Sequence, residues 1–268
     1  MDPAAPRPAP HAVSRLRTER LARSAKPFLA RGGPRGERCA GCRLNPAYCM
    51  CALRPVVDVR AGVCLLMADI EPLKPSNTGW LVADVVAETF AFGWSRTEVD
   101  PALLALLADP QWQPYVVFPG EQVAAGRVVT DTLLTRHDTH TAASASPKRP
   151  LFVLLDGTWP EARKMFRKSP YLDQLPMLSL QPDALSRYQL RRSSRDEHVC
   201  TSEIAALCLA LAGEAQAADA LEAWQDVFTN RYLKAKNQLP VDHADAAHLR
   251  LAGLNGAQGQ PLVASTAA

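Results

Sequence analysis

The sequence predicts an α/β protein with a mostly parallel sheet and flanking helices, preceded by a small zinc-binding knuckle. Three observations predict it. Residues 61–67, 115–118 and 151–155 are short apolar runs bounded by turn or polar residues, the mark of strands buried on both faces. Stretches with apolar residues at helical spacing alternate with them. Cys39, Cys42, Cys49 and Cys51 crowd into C-A-G-C-R-L-N-P-A-Y-C-M-C. The chain's 268 residues, 47% apolar and 21% charged, suffice for one sizeable core with a small appendage.

Residues 1–25, rich in Pro, Ala and Arg, are expected to be a disordered basic segment. Residues 26–55 are the expected knuckle, 56–240 the α/β domain and 241–268 a tail. In the domain, Ser76-Asn77-Thr78-Gly79 opens a predicted helix over 80–90. The strand at 115–118 ends at Pro119-Gly120. Residues 136–150 form a polar loop. The strand at 151–155 runs into Asp156-Gly157-Thr158-Trp159-Pro160, with a helix over 161–168 whose early proline is well tolerated. Residues 176–180 suggest another strand, and 201–212 and 217–236 two more helices. There are no internal repeats.

The cysteine cluster admits a closed tetrahedral zinc shell, a redox or disulfide role, or chance clustering. The N-terminus has no apolar secretory core, so a reducing, cytoplasmic setting is expected, where clustered cysteines more often bind metal. A four-cysteine shell is structural and not catalytic. Cys64 and Cys208 fall where core residues are expected. Cys200 has no partner motif, and His137 and His140 sit in the polar loop.

No apolar run is long enough for a membrane span. The net charge of +3 is unevenly spread. Basic sets occur over Arg15–Arg38, at Arg163, Lys164, Arg167 and Lys168, and at Arg187, Arg191, Arg192 and Arg195. Basic surface beside a zinc module suits a polyanion such as RNA or DNA, although each arginine alone also fits a solvated face. His198 is a further candidate for phosphate. Arginines carried within one chain point to a monomer.

In parallel sheets, ligands sit beyond the carboxyl ends of strands, which directs attention to Phe118-Pro119-Gly120 and to Asp156 onward. A carboxylate at the sheet rim can act as a base. Thr158 could cap the next helix, and Trp159 offers a face for a nucleobase. The plain alternative is a capped helix with a core tryptophan.

Asp156-Gly157-Thr158-Trp159 with Ala162-Arg163 resembles the D-x-T-W-x-x-A-R signature of the DTW-domain family. Further segments follow the family's order: the four cysteines, Glu71, Asn77-Thr78-Gly79, Phe118-Pro119-Gly120, Leu178-Ser179-Leu180, Tyr188-x-Leu190-Arg191 and Thr201-x-Glu203. The resemblance spans about residues 36–212. It implies transfer of the 3-amino-3-carboxypropyl group of S-adenosylmethionine to N3 of a uridine in tRNA, and a fold related to knotted SPOUT methyltransferases. Asp156 is then the expected base. Thr158 would hold it or the substrate, and Trp159 would stack on a base or line the pocket. Phe118, Pro119, Gly120, Leu178, Leu180, Tyr188 and Leu190 would cradle the adenosyl group, with Thr201 and Glu203 at the donor's carboxylate and ammonium. Arg163, Lys164, Arg187, Arg191, Arg192 and Arg195 would bind RNA, and Cys39, Cys42, Cys49 and Cys51 the zinc.

Two positions depart from the family pattern. Ala68-Asp69 stands where a His-Pro pair is frequent, and Ile204 follows Glu203 where a small residue is usual. Two rival functions fit the same residues: methyl transfer to RNA from the same donor, or zinc-dependent RNA binding without catalysis.

Overall fold

A computed structural model describes residues 10–25, 37–120, 125–129, 148–180 and 199–257. Its strands are β1 (Gly62–Met67), β2 (Thr89–Gly93), β3 (Trp112–Val117), β4 (Val128–Val129), β5 (Arg149–Asp156) and β6 (Met177–Leu178). They form one six-stranded sheet in the order β2-β1-β5-β3-β6-β4, and every pairing is parallel. All strands therefore deliver their carboxyl ends to the same edge. The predicted α/β class holds.

The helices are α1 (Ala12–Ala22), α2 (Gly79–Val85), α3 (Pro101–Ala108), α4 (Trp159–Arg167), α5 (Thr201–Leu211), α6 (Ala215–Asn237) and α7 (Ala246–Ala257). β1 shows how they layer. Its six residues are all buried. Val63, Leu65 and Met67 join one core with residues of α1, α2, α5 and α6, while Cys64 and Leu66 join another with residues of α3 and α4. Successive side chains of a strand point to opposite faces, so the sheet is covered on both. Cys64 and Cys208 are core residues as expected. Among the described residues, no helix is long and apolar enough to cross a membrane.

Several expectations are corrected. The helix predicted over 80–90 ends at Val85, and Thr89–Gly93 forms edge strand β2 beside β1. Helical spacing and strand alternation coincide over so short an apolar run, and sheet pairing decides between them. Within the segment expected to be disordered over 1–25, residues 12–22 form α1, with Val13 wholly buried. The expected tail over 241–268 contains α7, packed on α6. α3 was missed although Asp100-Pro101 announces it: the Asp100 carboxylate accepts from Ala102 N–H at 2.9 Å and Pro101 occupies the first turn.

The knuckle shares the main core, contributing Cys42, Leu44 and Met50. Arg231 of α6 donates to the Cys49 carbonyl and, at 2.9 Å, to His248 of α7. Tyr48 O–H donates to the Leu239 carbonyl at 2.9 Å.

A buried pair joins α1 to α2. His11, the N-cap of α1, meets the Trp80 ring edge-on at 4.6 Å, and its Nε2 lies 3.6 Å from Asp84 Oδ1. Burial, then the guanidiniums of Arg54, Arg43 and Arg15, push His11 from 6.5 down to about 3. Burial pushes Asp84 from 3.8 up to about 6, opposed by Arg54. A histidine kept neutral by the fold contributes stability that is full above pH 6.5 and is lost as pH falls toward 3. The raised carboxylate acts in the opposite sense, gaining stability as pH falls from 6 to 3.8. The two offset each other over that shared window. Asp84→Asn removes the second, so the variant should lose stability below pH 6 more steeply than wild type, by up to about 1.4 kcal/mol per pH unit. Urea unfolding across pH 7 to pH 5, on the order of one curve per half unit, measures it; equal slopes in the two proteins would refute it.

Candidate functional site

Asp156 closes β5 opposite Met67, the last residue of β1, and Ala68 N–H donates to its carbonyl at 2.9 Å. Its carboxylate is buried, with 1% of the residue exposed. Oδ2 accepts from Asn77 Nδ2 at 2.6 Å, and Oδ1 accepts from the Thr201 hydroxyl at 2.7 Å. The same Asn77 nitrogen donates to Glu71 Oε2 at 3.3 Å, and Asn77 Oδ1 accepts from Trp80 N–H at 2.9 Å. Glu71 also pairs with Lys74. Glu71 and Asn77 are both wholly buried. One amide thus bridges two buried carboxylates, and buried polar groups of this kind are tolerated because they are hydrogen-bonded. The residues come from the β1–α2 connection, the end of β5 and the start of α5, which only the parallel sheet brings together.

Gly79 explains the close approach. A Cβ there would stand 2.7 Å from Asp156 Oδ2 and 3.3 Å from Asn77 Oδ1.

The second half of the same sheet edge is built mainly from backbone. Phe118 N–H donates to the Leu178 carbonyl at 3.2 Å, and Gly120 N–H donates to Ser179 Oγ at 2.9 Å. Phe118-Pro119-Gly120 and Leu178-Ser179-Leu180 therefore lie side by side, at the ends of β3 and β6. Phe118 and Leu178 are buried, and Phe118 stacks on Phe166 at 4.4 Å. Their side chains belong to the core, so a ligand would meet backbone there, along with half-buried Pro119, Gly120 and Leu180.

Other predicted residues lie at α4 and α5 or outside the described residues. Thr158 does not hold Asp156; its hydroxyl donates to Glu161 Oε2 at 2.6 Å and its N–H to the same oxygen at 2.8 Å, a cap on α4. Thr201, from 45 residues further along, holds Asp156 instead. The Glu203 carboxylate accepts from Cys200 N–H at 2.7 Å and caps α5. Trp159 is half-buried, its ring 6.0 Å from Phe118. Arg163 and Lys164 are exposed on α4 together with Arg167 and Lys168, opposite the buried Ala162, Met165 and Phe166. Tyr188, Leu190, Arg187, Arg191, Arg192, Arg195 and His198 lie outside the described residues.

The departure at Ala68-Asp69 acquires a partner. Arg20 of α1 forms a bidentate pair with Asp69, with contacts of 2.7 Å to each oxygen. Arg17 donates to the Pro72 and Leu73 carbonyls at 3.2 and 2.8 Å. Two arginines read from sequence as a polyanion surface are thus turned onto the loop that carries Glu71. Charge counting finds such residues but does not separate inward from outward ones.

The four cysteine sulfurs all lie within 4.8 Å of one another. The Cys39–Cys51, Cys42–Cys49 and Cys49–Cys39 separations are 3.6, 3.8 and 3.5 Å. A tetrahedral ion with metal–sulfur bonds near 2.3 Å spaces its sulfurs by about 3.8 Å, so the cluster could hold a metal ion. All four cysteines are free thiols. The neighbouring Cys42 thiol, and then burial, push the Cys49 thiol up to about 12.

The family model of the DTW domain matches residues 36–233. A curated relative from Drosophila melanogaster, named tRNA-uridine aminocarboxypropyltransferase 2, is 39% identical over 59 residues, or 22% of this chain. That match spans 24% of the relative's own length. No solved structure matches the chain.

Gly79→Ala should push Asp156 from its two donors and destabilise the fold by about 1–3 kcal/mol. Thermal unfolding and the amide exchange of Trp80 N–H measure the two effects; a wild-type melting curve would contradict the crowding at Gly79.

Proposed function

This chain belongs to the DTW domain family, and we propose that it transfers the 3-amino-3-carboxypropyl group of S-adenosylmethionine to N3 of a uridine in tRNA. The observation that carries the reading is the meeting of Glu71, Asn77, Gly79, Asp156 and Thr201 at one end of a parallel sheet, where such folds place ligands. The partial match to a relative named for this transfer adds the substrate class. Kinship to the knotted SPOUT folds and a monomeric state belong to the same proposal.

In this reading the donor lies along the sheet edge. Its adenosyl part meets the backbone of residues 118–120 and 178–180, with Tyr188 and Leu190 nearby in sequence, and the aminocarboxypropyl arm reaches toward Asp156 and Thr201. The uridine enters beside Trp159, whose ring gives a stacking face. Asp156 takes the N3 proton. The N3 electron pair then forms a bond to the γ-carbon of the donor's arm. The sulfur–carbon bond breaks, and its electrons stay on sulfur, which leaves as a neutral thioether. S-adenosylmethionine has three electrophilic carbons on its sulfonium, so which group moves is a matter of positioning. Asn77 and Thr201 fix the carboxylate for that purpose. An ionised carboxylate offers about four acceptor positions, so being held by donors and taking a proton are compatible. Exposed Arg163 and Lys164, with Arg187, Arg191, Arg192 and Arg195, would hold tRNA phosphates. Cys39, Cys42, Cys49 and Cys51 would hold a zinc ion that closes the knuckle and takes no part in the chemistry.

Purified protein with tRNA and labelled donor should yield an aminocarboxypropyl-modified uridine by nucleoside mass spectrometry. A methyl adduct would support the methyltransferase alternative, and tRNA binding without donor binding the non-catalytic one. Asp156→Asn should lower kcat by about 100-fold or more while leaving tRNA affinity unchanged. Full transfer by a folded Asp156→Asn protein would remove Asp156 as the base.

A further inference from the structure

The cysteine knuckle reaches the carboxylate site through a residue that its sequence conceals. Arg43 stands between Cys42 and Leu44 with φ 63°, a left-handed conformation uncommon for a non-glycine residue. It is 3% exposed. Its guanidinium lies 4.4 Å from the Trp80 ring centroid and 5.4 Å from that of Phe228. Its Nη1 donates to the Lys74 carbonyl at 3.1 Å. From the same turn, the Gly41 carbonyl accepts from Trp80 Nε1 at 2.8 Å.

These contacts grip residues 74–80 at both ends, and that segment carries Asn77. Lys74 pairs with Glu71, and Trp80 N–H is held by Asn77 Oδ1. The turn that aims Arg43 is closed by Cys39 N–H donating to the Leu44 carbonyl and Arg43 N–H to the Cys39 carbonyl, both at 2.8 Å. A left-handed non-glycine backbone persists where its surroundings over-determine it. Bonds from Cys39 and Cys42 to one ion would do so, because they fix both ends of the dipeptide before Arg43.

We propose that Arg43 is a positioning residue that couples metal occupancy of the four-cysteine cluster to the Glu71–Asn77–Asp156 site. With the ion bound, the turn holds Arg43 against Trp80 and Lys74, and the Asn77 bridge is set. With the ion lost, the turn relaxes, the grip on residues 74–80 loosens and Asp156 loses its alignment. The proposal rests on the reading of that site as the place of donor binding and transfer, and it makes the knuckle a control on the site as well as a support.

The test uses the full chain loaded with zinc, with hydrogen exchange of residues 74–80 as the main readout. Arg43→Met should keep its zinc and its tRNA affinity. Its amides at 74–80 should exchange about tenfold faster or more, the scale of losing one charge-assisted hydrogen bond, and S-adenosylmethionine binding should weaken in parallel. Arg43→Lys, which keeps a donor for the Lys74 carbonyl, should fall between. Chelating zinc from wild type should reproduce the Arg43→Met exchange pattern, and adding zinc back should reverse it. Should Arg43→Met fail to fold, Trp80→Phe removes the donor to the Gly41 carbonyl and trims the ring that Arg43 meets, and it should raise the same exchange with zinc retained. Loss of zinc from Arg43→Met would overturn the proposal, since Arg43 would then prop the knuckle alone. Unchanged exchange in zinc-loaded Arg43→Met, or in chelated wild type, would overturn it too. The exchange arm needs no turnover, so a wild-type protein without transfer activity would sink the transfer reading and still leave the coupling tested.

Discussion

The Asn77 side chain is the constraint on which the site depends. Its single NH2 group lies between the buried carboxylates of Glu71 and Asp156, and its carbonyl holds the first turn of α2 through Trp80 N–H. An amide left unpartnered in such a place would cost about 1–3 kcal/mol, and a carboxylate more. The β1–α2 loop, the start of α2 and the end of β5 therefore have to be right together. Thr201 adds α5 to the same set, and Gly79 supplies the room. Fully satisfied networks of this kind are rigid, which suits the positioning role proposed for this site.

Around this network the protein has two layers of support. The inner one is the parallel sheet, which puts every strand's carboxyl end on one edge and so sets the carboxylate half beside the backbone half at β3 and β6. The outer one is N-terminal. Arg17 and Arg20 of α1 and Arg43 of the knuckle reach the loop over residues 69–74, gripping three successive carbonyls and Asp69. Charge that sequence alone suggests is for a polyanion is partly spent inside the molecule. The face of α4 carrying Arg163, Lys164, Arg167 and Lys168 remains outward and keeps that expectation.

Local signals were legible where one residue type suffices to give them. Buried strands 61–67 and 151–155, the helix after Asp156, and the cysteine spacing all follow from short patterns, and all reappear with shifts of a residue or two. The edge strand β2 was not legible, because Thr89–Gly93 fits either period and owes its form to pairing with β1. α1 was hidden by its many charges; its stability comes from burying Val13 and Leu16 and from arginines whose partners lie about fifty residues away.

The sequence by itself determined the fold class, the cysteine cluster and the identity of Asp156 as the residue at the end of the central strand. Strand burial, ligand spacing and turn chemistry are carried by neighbours in the chain. Tertiary structure alone decided which hydroxyl holds that carboxylate, choosing Thr201 over Thr158, and which arginines face inward. It also made Arg43 a link between knuckle and site. Those choices depend on partners separated by dozens of residues, and only the closing of the sheet and the packing of its helices bring such partners within hydrogen-bonding distance.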